Sequence, residues 1–443
     1  MSGSGAGTDG RSGVLLLGNR RQSLTVIRAL RSDGWAVVVG RDEADDRDYH
    51  AYRSRGVAEV WRHASWKGDP SAFDGQLMRF LEARPWVRVV FPVDESAVRR
   101  VDGLRGEMGA RFGERVGLAV ANPGAVETCL DKGRMLEACR SAGVPHAGYE
   151  VVGGDELGGA MERVGLPCVV KPMDHETLRF GVKAEIVREA GEAEALAGDG
   201  AMAGRRLMVQ GYAAGPRHNV YFAADGGRLV GAVEVRIDRT DRVDGTGLAV
   251  SGRTVEPTPA LIADTEALVG ALGYRGVGCA QFLYEGEESS RCFLELNPRL
   301  GANFAVVYRA GLRLPELAVR LAGGERLEVP ADALAYRRGL RFAWTFGAWA
   351  GCRFERRQGV IGWGRAARLM GRAGWAGVRA AWPGLRGGVH ITWSWRDPLP
   401  SLLEMSRPLR RRATRAAAVD PKPTAAGRLS PSEASGAAVG GAR

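Results

Sequence analysis

The sequence lacks both the cysteine pattern of a metal site and any long apolar run. Its six cysteines are scattered and form no Cys-x-x-Cys pair, which argues against structural zinc and favours reduced thiols in a cytosolic protein. No run of about 18 apolar residues is present, which argues against a membrane-spanning helix. Residues 1–12 lack the apolar segment of a signal peptide, and we expect them to be a disordered leader.

Positive charge is concentrated at the C-terminal end of the chain. The net charge is +11. Residues 1–336 hold 42 basic and 46 acidic side chains, whereas residues 337–443 hold 20 basic and 5 acidic ones. Because the excess belongs to one segment, it does not indicate nucleic-acid binding by the whole protein, and we expect no nucleic-acid partner.

Residues 13–121 alternate between apolar strands and helices. Val14–Gly18 and Val87–Phe91 have the short apolar composition of buried strands, and each precedes a helical segment. This order predicts a Rossmann-like parallel sheet with helices on its faces. Asp94, at the start of the later of these helices, has two interpretations: it binds an amine, or it caps the helix N-terminus.

The strongest chemical signal is the segment 293–299, Phe-Leu-Glu-Leu-Asn-Pro-Arg. Glu295 and Asn297 lie two apart on a predicted strand, so their side chains share a face, and Gln281 on the preceding strand can pair alongside. Three oxygen ligands on one face favour magnesium. Arg299 follows where it can contact a phosphoryl group. The alternative is a structural ion pair between Glu295 and Arg299.

Two lysines are candidate point charges for a nucleotide triphosphate. Lys171 ends an apolar strand, and Lys132 begins a helix after an aspartate. Ammonium groups in such positions bind phosphates, although a solvated surface position is the alternative for either lysine alone. The order of Lys132, Lys171, Gln281 and the Glu295 segment is therefore more informative than either lysine.

This order and these spacings resemble the ATP-grasp superfamily over about residues 122–324. Gln281 with the Glu-x-Asn-Pro-Arg segment looks most like the carbamoyl-phosphate-synthetase and biotin-carboxylase-like branch. The resemblance implies an α/β and α+β protein, with a pre-ATP-grasp parallel-sheet domain at 13–121. An ATP-grasp domain would follow at 122–330, with a lid at about 145–212 and an antiparallel catalytic sheet. ATP with Mg²⁺ or Mn²⁺ would be the cofactors.

The resemblance also implies roles for individual residues. Arg299 and Lys171 would act in catalysis, and Gln281, Glu295 and Asn297 would hold the metal. The residues expected to bind ATP are Lys132, Lys171, Lys183, Gln210, Gly211, Tyr212, Ala213 and His218. The last of these belongs to a Pro-Arg-His stretch similar to that of biotin carboxylases, in which the histidine lies near the ribose.

Substrate and lid residues are predicted from their positions in the sequence. Arg236 and Arg239 follow a strand, and Asn303 should border the acceptor pocket, where an arginine could hold a substrate carboxylate. A surface position is the alternative for both arginines. The lid loop is not glycine-rich, so Thr177 and Arg179, together with the lysine at 183, are candidates to grip phosphate through side chains.

The C-terminal part divides into a basic Trp/Arg-rich segment at 331–405 and a tail at 406–443 that we expect to be disordered. A helical wheel separates two groups over 363–382: Arg365, Arg368, Arg372 and Arg379, opposite Trp363, Met370, Val378 and Trp382. This pattern is typical of a helix at a membrane interface, and it suggests contact of 361–395 with an anionic membrane surface. The alternatives are packing of the apolar face on the protein body, and binding of an acidic carrier protein or an anionic substrate by the arginines.

The predicted function is an ATP-dependent ligase that joins a small-molecule carboxylate to an amine through an acyl-phosphate, releasing ADP and phosphate. One alternative is a bicarbonate-using carboxylase or carbamoyl-phosphate-type synthetase that needs partner subunits. Another, of a different class, is a non-catalytic nucleotide-binding scaffold associated with a membrane. We expect a cytoplasmic protein, with peripheral contact at the inner face of the membrane and a homodimer left open.

Overall fold

The computed structural model describes residues 10–42, 44, 49–173, 178, 183–287, 290–382 and 388–405. The first of its three sheets is parallel and has five strands. Its strands are β1 (Gly13–Leu17), β2 (Ala36–Asp42), β3 (Val57–His63), β4 (Val87–Pro92) and β5 (Gly117–Leu118), in spatial order β3-β2-β1-β4-β5. The helices are α1 (Arg21–Ser32), α2 (Pro70–Ala83), α3 (Glu95–Gly103) and α4 (Arg105–Phe112). Alternate strand residues face opposite sides, so Leu16 shares a core with α1 and Leu15 with α2. The predicted parallel sheet is confirmed.

Two helices, α5 (Pro123–Leu130) and α6 (Lys132–Ser141), lead into a four-stranded antiparallel sheet. Its strands are β6 (Tyr149–Gly153), β7 (Cys168–Pro172), β8 (Glu185–Val187) and β9 (Arg206–Gly211), ordered β6-β9-β7-β8. Helices α7 (Leu157–Val164) and α8 (Ala190–Ala197) cover one face, where Val170 and Val209 are buried. Lys171 and Gln210 are each one residue further along and therefore lie on the other face.

A third, seven-stranded sheet follows. It contains β10 (Arg217–Asp225), β11 (Arg228–Thr240), β12 (Ala249–Thr254), β13 (Gly276–Leu283), β14 (Cys292–Asn297), β15 (Arg341–Ala343) and β16 (Gly388–His390), in spatial order β14-β13-β10-β11-β12-β15-β16. Neighbouring strands are antiparallel except β15 and β16. Helix α9 (Pro259–Ala271) packs on one face, while α10 (Ala305–Ala310), α11 (Leu314–Ala322) and residues of the first sheet share a core on the other.

The C-terminal segment is helical, as predicted, but it also completes the third sheet. Helices α12 (Thr345–Arg357) and α13 (Trp363–Ala381) lie between β15 and β16 in the chain. Beyond β16, the Asp397 carboxylate accepts hydrogen bonds from Arg28 Nε at 3.0 Å and from Ser54 Oγ at 2.7 Å. The described residues up to Glu404 thus form one compact unit, and the domain boundaries stay predictions. Within the described ranges, no helix combines the length and apolarity needed to cross a bilayer.

Candidate nucleotide and metal site

The three predicted metal ligands lie on one face of the third sheet. The register places Gln281 beside Glu295 on one side and beside Asn219 on the other, so their side chains form a row across β14, β13 and β10. Asn297 lies two residues beyond Glu295, and its Nδ2 donates to Glu295 Oε1 at 2.7 Å. Strand alternation is the reason that these residues share a face.

Basic side chains surround the Glu295 carboxylate, which water can still reach. Desolvation by the surrounding protein would by itself raise the pKa of Glu295. The hydrogen bond from Asn297 and the charges of three basic side chains outweigh this effect and hold the pKa below its ordinary value. Those side chains are Lys183, Arg299 and Arg217. Glu295 is thus exposed on this sheet face with basic side chains near it, and we call the space between this face and the second sheet the cleft.

Lys171 reaches the same cleft from the second sheet. Its Nζ donates to Gln210 Oε1 at 2.8 Å. Desolvation lowers the pKa of Lys171, the negative charge of Glu295 opposes this, and the positive charge of Lys132 lowers the pKa further. Lys132 Nζ donates to the carbonyl oxygen of Met173 at 3.3 Å. The fold therefore brings Lys171 near Glu295 and Lys132 near Lys171, although the two lysines lie on different elements.

Lys183 and Arg299 complete the basic lining of the cleft. Lys183 is exposed on the chain that enters β8. Arg299 is half-buried, and its Nη1 donates to the Leu300 carbonyl oxygen at 3.3 Å, while its Nε has no partner among the described residues. Arg299 lowers the pKa of Glu295 through its charge, yet the described residues include no ion-pair contact between the two. Thr177 and Arg179 lie outside the described residues.

The predicted hinge, Gln210–Ala213, connects β9 to β10. The N–H groups of Gly211 and Tyr212 donate to carbonyl oxygens beside the second sheet, at 2.9 Å and 3.1 Å. These two donors are therefore already used within the protein. The exposed ring of Tyr212 and the backbone of Ala213 are the parts of the hinge best placed to meet a ligand.

His218 lies on the opposite face of the sheet from Gln281, because it precedes Asn219 by one residue. Its Nδ1 forms a hydrogen bond of 2.5 Å with Glu234 Oε1. Thr258 donates to the same carboxylate through its N–H at 2.6 Å and its Oγ1 at 2.9 Å. This closed network gives His218 a structural role, and its placement does not support the predicted contact with the ribose.

Two of the predicted substrate residues also lie away from the row. Arg236 pairs with His218 in the sheet register and so shares its face. A β-bulge between Ile237 and Arg239 turns Arg239 toward α13, where its Nη1 donates to the Leu369 carbonyl oxygen at 3.5 Å. Strand alternation therefore places Arg236 on the face opposite the row, whereas Arg239 contacts α13, and a substrate role for these two arginines stays a prediction.

Asn303, the third predicted substrate residue, is placed differently. It is buried, and its Oδ1 has no partner among the described residues. The loop that leads to it packs on β10, where Gly301 lies so close to Tyr221 that an added Cβ would be 2.7 Å from a ring carbon. Tyr221 shares the face of Asn219, so this loop borders the cleft.

The contribution of β10 to the sheet face that carries Gln281 was not predicted from the sequence. Arg217, Asn219 and Tyr221 alternate along the strand and therefore point to the side of Gln281. Arg217 Nη1 donates to the Gly247 carbonyl oxygen at 3.1 Å, whereas Arg217 Nε and Asn219 Oδ1 have no partner in the described part of the chain. The two-residue spacing was the signal that could have identified them.

Arg21, at the start of α1, is a second residue that was missed. It is buried, its Cζ lies 3.5 Å from the centroid of the Trp344 ring, and its Nη1 has no partner within the described ranges. Desolvation lowers the pKa of Arg21 and of Arg217, and both interact electrostatically with Asp241 and Tyr221. No sequence signal connects Arg21 to this region, because Arg21 lies on α1, which belongs to the domain of the first sheet.

Asp94 caps α3. Its Oδ1 accepts from the Ala97 N–H at 2.9 Å, and its Oδ2 accepts from Arg20 Nε at 3.0 Å. Of the two interpretations given for Asp94, helix capping is the one confirmed.

The match to a known protein family falls on the part of the chain that contains the predicted metal ligands. The sequence model of the carbamoyl-phosphate synthase L chain, ATP binding domain, matches residues 255–329. This segment includes Gln281, Glu295, Asn297 and Arg299. A formate-dependent phosphoribosylglycinamide formyltransferase of Rhodococcus jostii is 32% identical over 214 residues, which are 46% of this chain and 47% of that protein. The chain thus matches about half the length of this curated relative.

Solved structures share the fold. The biotin carboxylase domain of Hydrogenobacter thermophilus 2-oxoglutarate carboxylase, in complex with MgADP, ADP and bicarbonate, superposes with a TM-score of 0.55 at 17% identity, covering 74% of this chain and 73% of that one. An L-amino acid ligase from Bacillus licheniformis gives a TM-score of 0.56 at 12% identity, covering 75% and 79%. The motifs, the family match over residues 255–329 and the shared fold all agree with the resemblance to the ATP-grasp superfamily.

Proposed function

We propose that this protein is an ATP-dependent carboxylate–amine ligase. The observation that carries the proposal is the convergence of Lys171 from the second sheet with Glu295 and Arg299 from the third. Opposed basic and acidic groups from two sheets suit a nucleotide triphosphate and its divalent ion. The formyltransferase relative and the amino acid ligase that shares the fold are both named for joining small molecules, which agrees with this class of reaction.

The nucleotide would lie between the two sheets. Lys132, Lys171 and Lys183 supply three positive charges for the phosphates, and Lys171 is already oriented by its 2.8 Å hydrogen bond to Gln210. Adenine would meet the backbone of Ala213 and the exposed ring of Tyr212 at the hinge. Backbone groups suit this contact, because they offer donors and acceptors whatever the side chain.

The donor set fits a magnesium or manganese ion. Glu295 offers an ionised carboxylate, and Gln281 and Asn297 offer amide oxygens on the same sheet face. No cluster of three His, Cys, Asp or Glu side chains suited to a metal occurs among the described residues. A single carboxylate with amide oxygens fits magnesium, which takes its other ligands from phosphates and water. The ion would neutralise charge on the phosphates.

Arg299 and Lys171 are the residues that we assign to phosphoryl transfer. In the proposed first step, a substrate carboxylate oxygen bonds to the γ-phosphorus of ATP, and the bond to the bridging oxygen breaks to release ADP. The unpaired Nε of Arg299 can then donate to the equatorial oxygens as charge builds on them. In the second step the amine nitrogen attacks the acyl carbon, phosphate leaves, and the nitrogen loses a proton.

The substrates would bind on the β10 side of the cleft. The partnerless Nη1 of Arg21 and Nε of Arg217 are donors suited to a carboxylate. The partnerless Oδ1 atoms of Asn219 and Asn303 are acceptors suited to an amine or ammonium group. Buried polar atoms without partners are rare in folded proteins, and a ligand that supplies the partners explains them.

A bicarbonate-using reaction is the second candidate. Bicarbonate is a small anion that the same arginines could hold, and the Hydrogenobacter carboxylase domain was solved with bicarbonate and MgADP. This reaction would release ADP with bicarbonate, whether or not an amine is present. The scaffold alternative differs from both, because it predicts nucleotide binding without turnover.

The test is a matrix of carboxylic acids, amino acids and amines, with ADP release measured for each pair and mass spectrometry of the product. We expect ADP release only when both co-substrates are present, and a product whose mass is that of the two substrates minus water. Arg299→Ala should reduce turnover by roughly 100-fold while leaving the unfolding transition in place. ADP release with bicarbonate alone would favour the second candidate, and full turnover by the Arg299→Ala protein would contradict the assigned role.

The proposed domain boundaries follow from the same assignment. The pre-ATP-grasp domain would span 13–121, since α5 begins at Pro123. The ATP-grasp domain would span 122–330, with a lid at about 145–212 built on β6 to β9, and the Trp/Arg-rich segment would span 331–405.

A further inference from the structure

Helix α13 presents three distinct sectors around its axis. Ala366, Ala373 and Gly377 are buried against the rest of the protein. At about 100° per residue, these positions fall within a sector of about 40°. Leu369 and Met370, on either side of this sector, are partly buried against Cys352, Ile361 and Ala366. The broader remainder of the helix surface faces solvent.

The large apolar side chains of α13 are not in the buried stripe. Trp363 is 74% exposed, Trp375 63% and Trp382, at the C-terminal end, 55%, and Val378 is also exposed. They occupy a contiguous sector of about 120°. Packing of the predicted apolar face on the protein body was an alternative, and it holds only for Met370, which packs against Cys352, Ile361 and Ala366. Trp363, Val378 and Trp382 of that face are exposed.

The apolar sector continues beyond the helix. The rings of Trp382 and Trp395 lie edge to face with centroids 5.6 Å apart, and Trp395 is itself exposed. Leu399 and Leu402, in the segment that follows, are exposed as well. A contiguous exposed apolar patch of this kind marks an interaction site in a folded protein.

The arginines of α13 form a third sector, which on the helical wheel is adjacent to Trp375 and Trp382 and far only from Trp363. Arg365, Arg368, Arg372 and Arg379 fall within about 60° of one another, and all four are exposed. In the part of the chain that the structure describes, no carboxylate lies within ion-pairing distance of any of them. We call the four arginines, together with Trp363, Trp375, Val378, Trp382 and Trp395, the Trp/Arg surface.

We propose that the Trp/Arg surface docks on a bilayer of anionic phospholipid, with α13 lying in the headgroup region. Tryptophan rings suit this region because they combine a large apolar surface with a polar N–H group. The positively charged arginines beside them would contact the negatively charged lipid phosphates. This charge complementarity favours an anionic bilayer as the partner. The proposal does not depend on the ligase activity.

Charge argues against two other occupants. Residues 406–443 carry 8 basic and 2 acidic side chains, so the chain's own C-terminal segment would be repelled by the arginine sector. A second copy, docked face to face, would bring two sets of unpaired arginines together. Both arrangements bury like charges, whereas an anionic bilayer neutralises them.

The experiment is co-sedimentation of the full chain with vesicles of equal parts phosphatidylglycerol and phosphatidylcholine, and with vesicles of phosphatidylcholine alone. We expect binding to the anionic vesicles at low salt and its loss at high salt. Arg368→Gln with Arg372→Gln should weaken binding roughly 25-fold, at roughly fivefold for each arginine. The matched control is Arg31→Gln with Arg88→Gln, which removes two exposed arginines from the first domain and should bind like the parent.

A second variant tests the apolar part. Replacing Trp363, Trp375 and Trp382 by serine should weaken binding by roughly tenfold or more, because the buried apolar area is lost. Circular dichroism and ATP turnover check that each variant is folded. The proposal is overturned by an absence of sedimentation at low salt, by equal losses in the two arginine pairs, or by light scattering that shows a dimer disrupted by the α13 changes without vesicle binding.

Discussion

Two adjacent residues of β10 are in opposite circumstances, although the His218 face also includes one atom without a partner among the described residues, Nε of Arg236. His218 and Asn219 are neighbours in the sequence and point to opposite sides of β10. On the His218 side, the Glu234 carboxylate accepts three hydrogen bonds, from the histidine ring and from both donors of Thr258. On the Asn219 side, side-chain atoms of Asn219 and Arg217 have no partner among the described residues. The same strand therefore contributes a closed network to one face and, to the other, polar atoms that the proposed substrates would partner.

This difference separates stability from function within a single sheet. Buried polar groups cost free energy unless they are hydrogen-bonded. We therefore expect the closed network to stabilise the fold, and the atoms without partners to bind a ligand. Changes on the closed face should reduce the free energy of unfolding, and changes on the open face should reduce turnover. Substitution of Glu295 tests the open face, and substitution of Glu234 tests the closed face.

The largest effect is expected for Glu295→Gln on the open face. It removes the carboxylate from the predicted metal set, so kcat/KM for ADP formation should fall by roughly 100- to 1000-fold. The free energy of unfolding, measured in urea, should change little, because Glu295 is solvent-accessible. A protein that keeps full turnover after this change would contradict the division between the two faces.

Glu234→Ala should have the converse effect. It leaves Thr258 and His218 without their buried acceptor, and the free energy of unfolding should fall by about 3 kcal/mol. Turnover per folded molecule should be almost unchanged, as measured under conditions where both proteins are folded. Loss of kcat without loss of stability would instead place this network in the active site.

His390, on the edge strand β16 of the same sheet, allows a test by pH. Burial, together with the nearby charge of Arg28, lowers the pKa of His390 from 6.5 to about 4. The unprotonated Nδ1 accepts from the Trp393 N–H at 3.0 Å. The unfolded chain therefore binds the proton more readily, and stability is lost as pH falls through the window from 6.5 to 4.

Between pH 7 and pH 5 the loss attributable to His390 should be about 2 kcal/mol. Urea unfolding at several pH values measures it. His390→Gln should remove this part of the pH dependence, and an identical pH profile for the two proteins would show that the pKa of His390 is the same in the folded and unfolded chains.

The smallest effect is expected for Asn303→Ala. The KM for the amine substrate should rise by roughly tenfold, because an acceptor is lost from the pocket. The free energy of unfolding should stay constant or increase, since the buried Oδ1 has no partner to lose in the described part of the chain. A clear loss of stability would mean that Asn303 belongs to the closed type.

Much of the candidate site could be predicted from local patterns. Glu295 and Asn297 share a face because strand residues alternate, and a neighbouring antiparallel strand brings Gln281 alongside. The same rule, applied to β10, would have identified Asn219 and excluded His218. The contact of Arg239 with α13 could not be predicted in this way, because the strand register shifts on both sides of Arg239.

The sequence by itself determined the alternation of strands and helices, the order of the ATP-grasp segments and the concentration of arginine near the C-terminus. These are local features, set by the spacing of residues along a few turns or one strand. Only the tertiary structure brought Arg21 to the Trp344 ring and left the tryptophans of α13 in solvent. Such contacts join residues far apart in the chain, and their geometry depends on how whole sheets and helices pack.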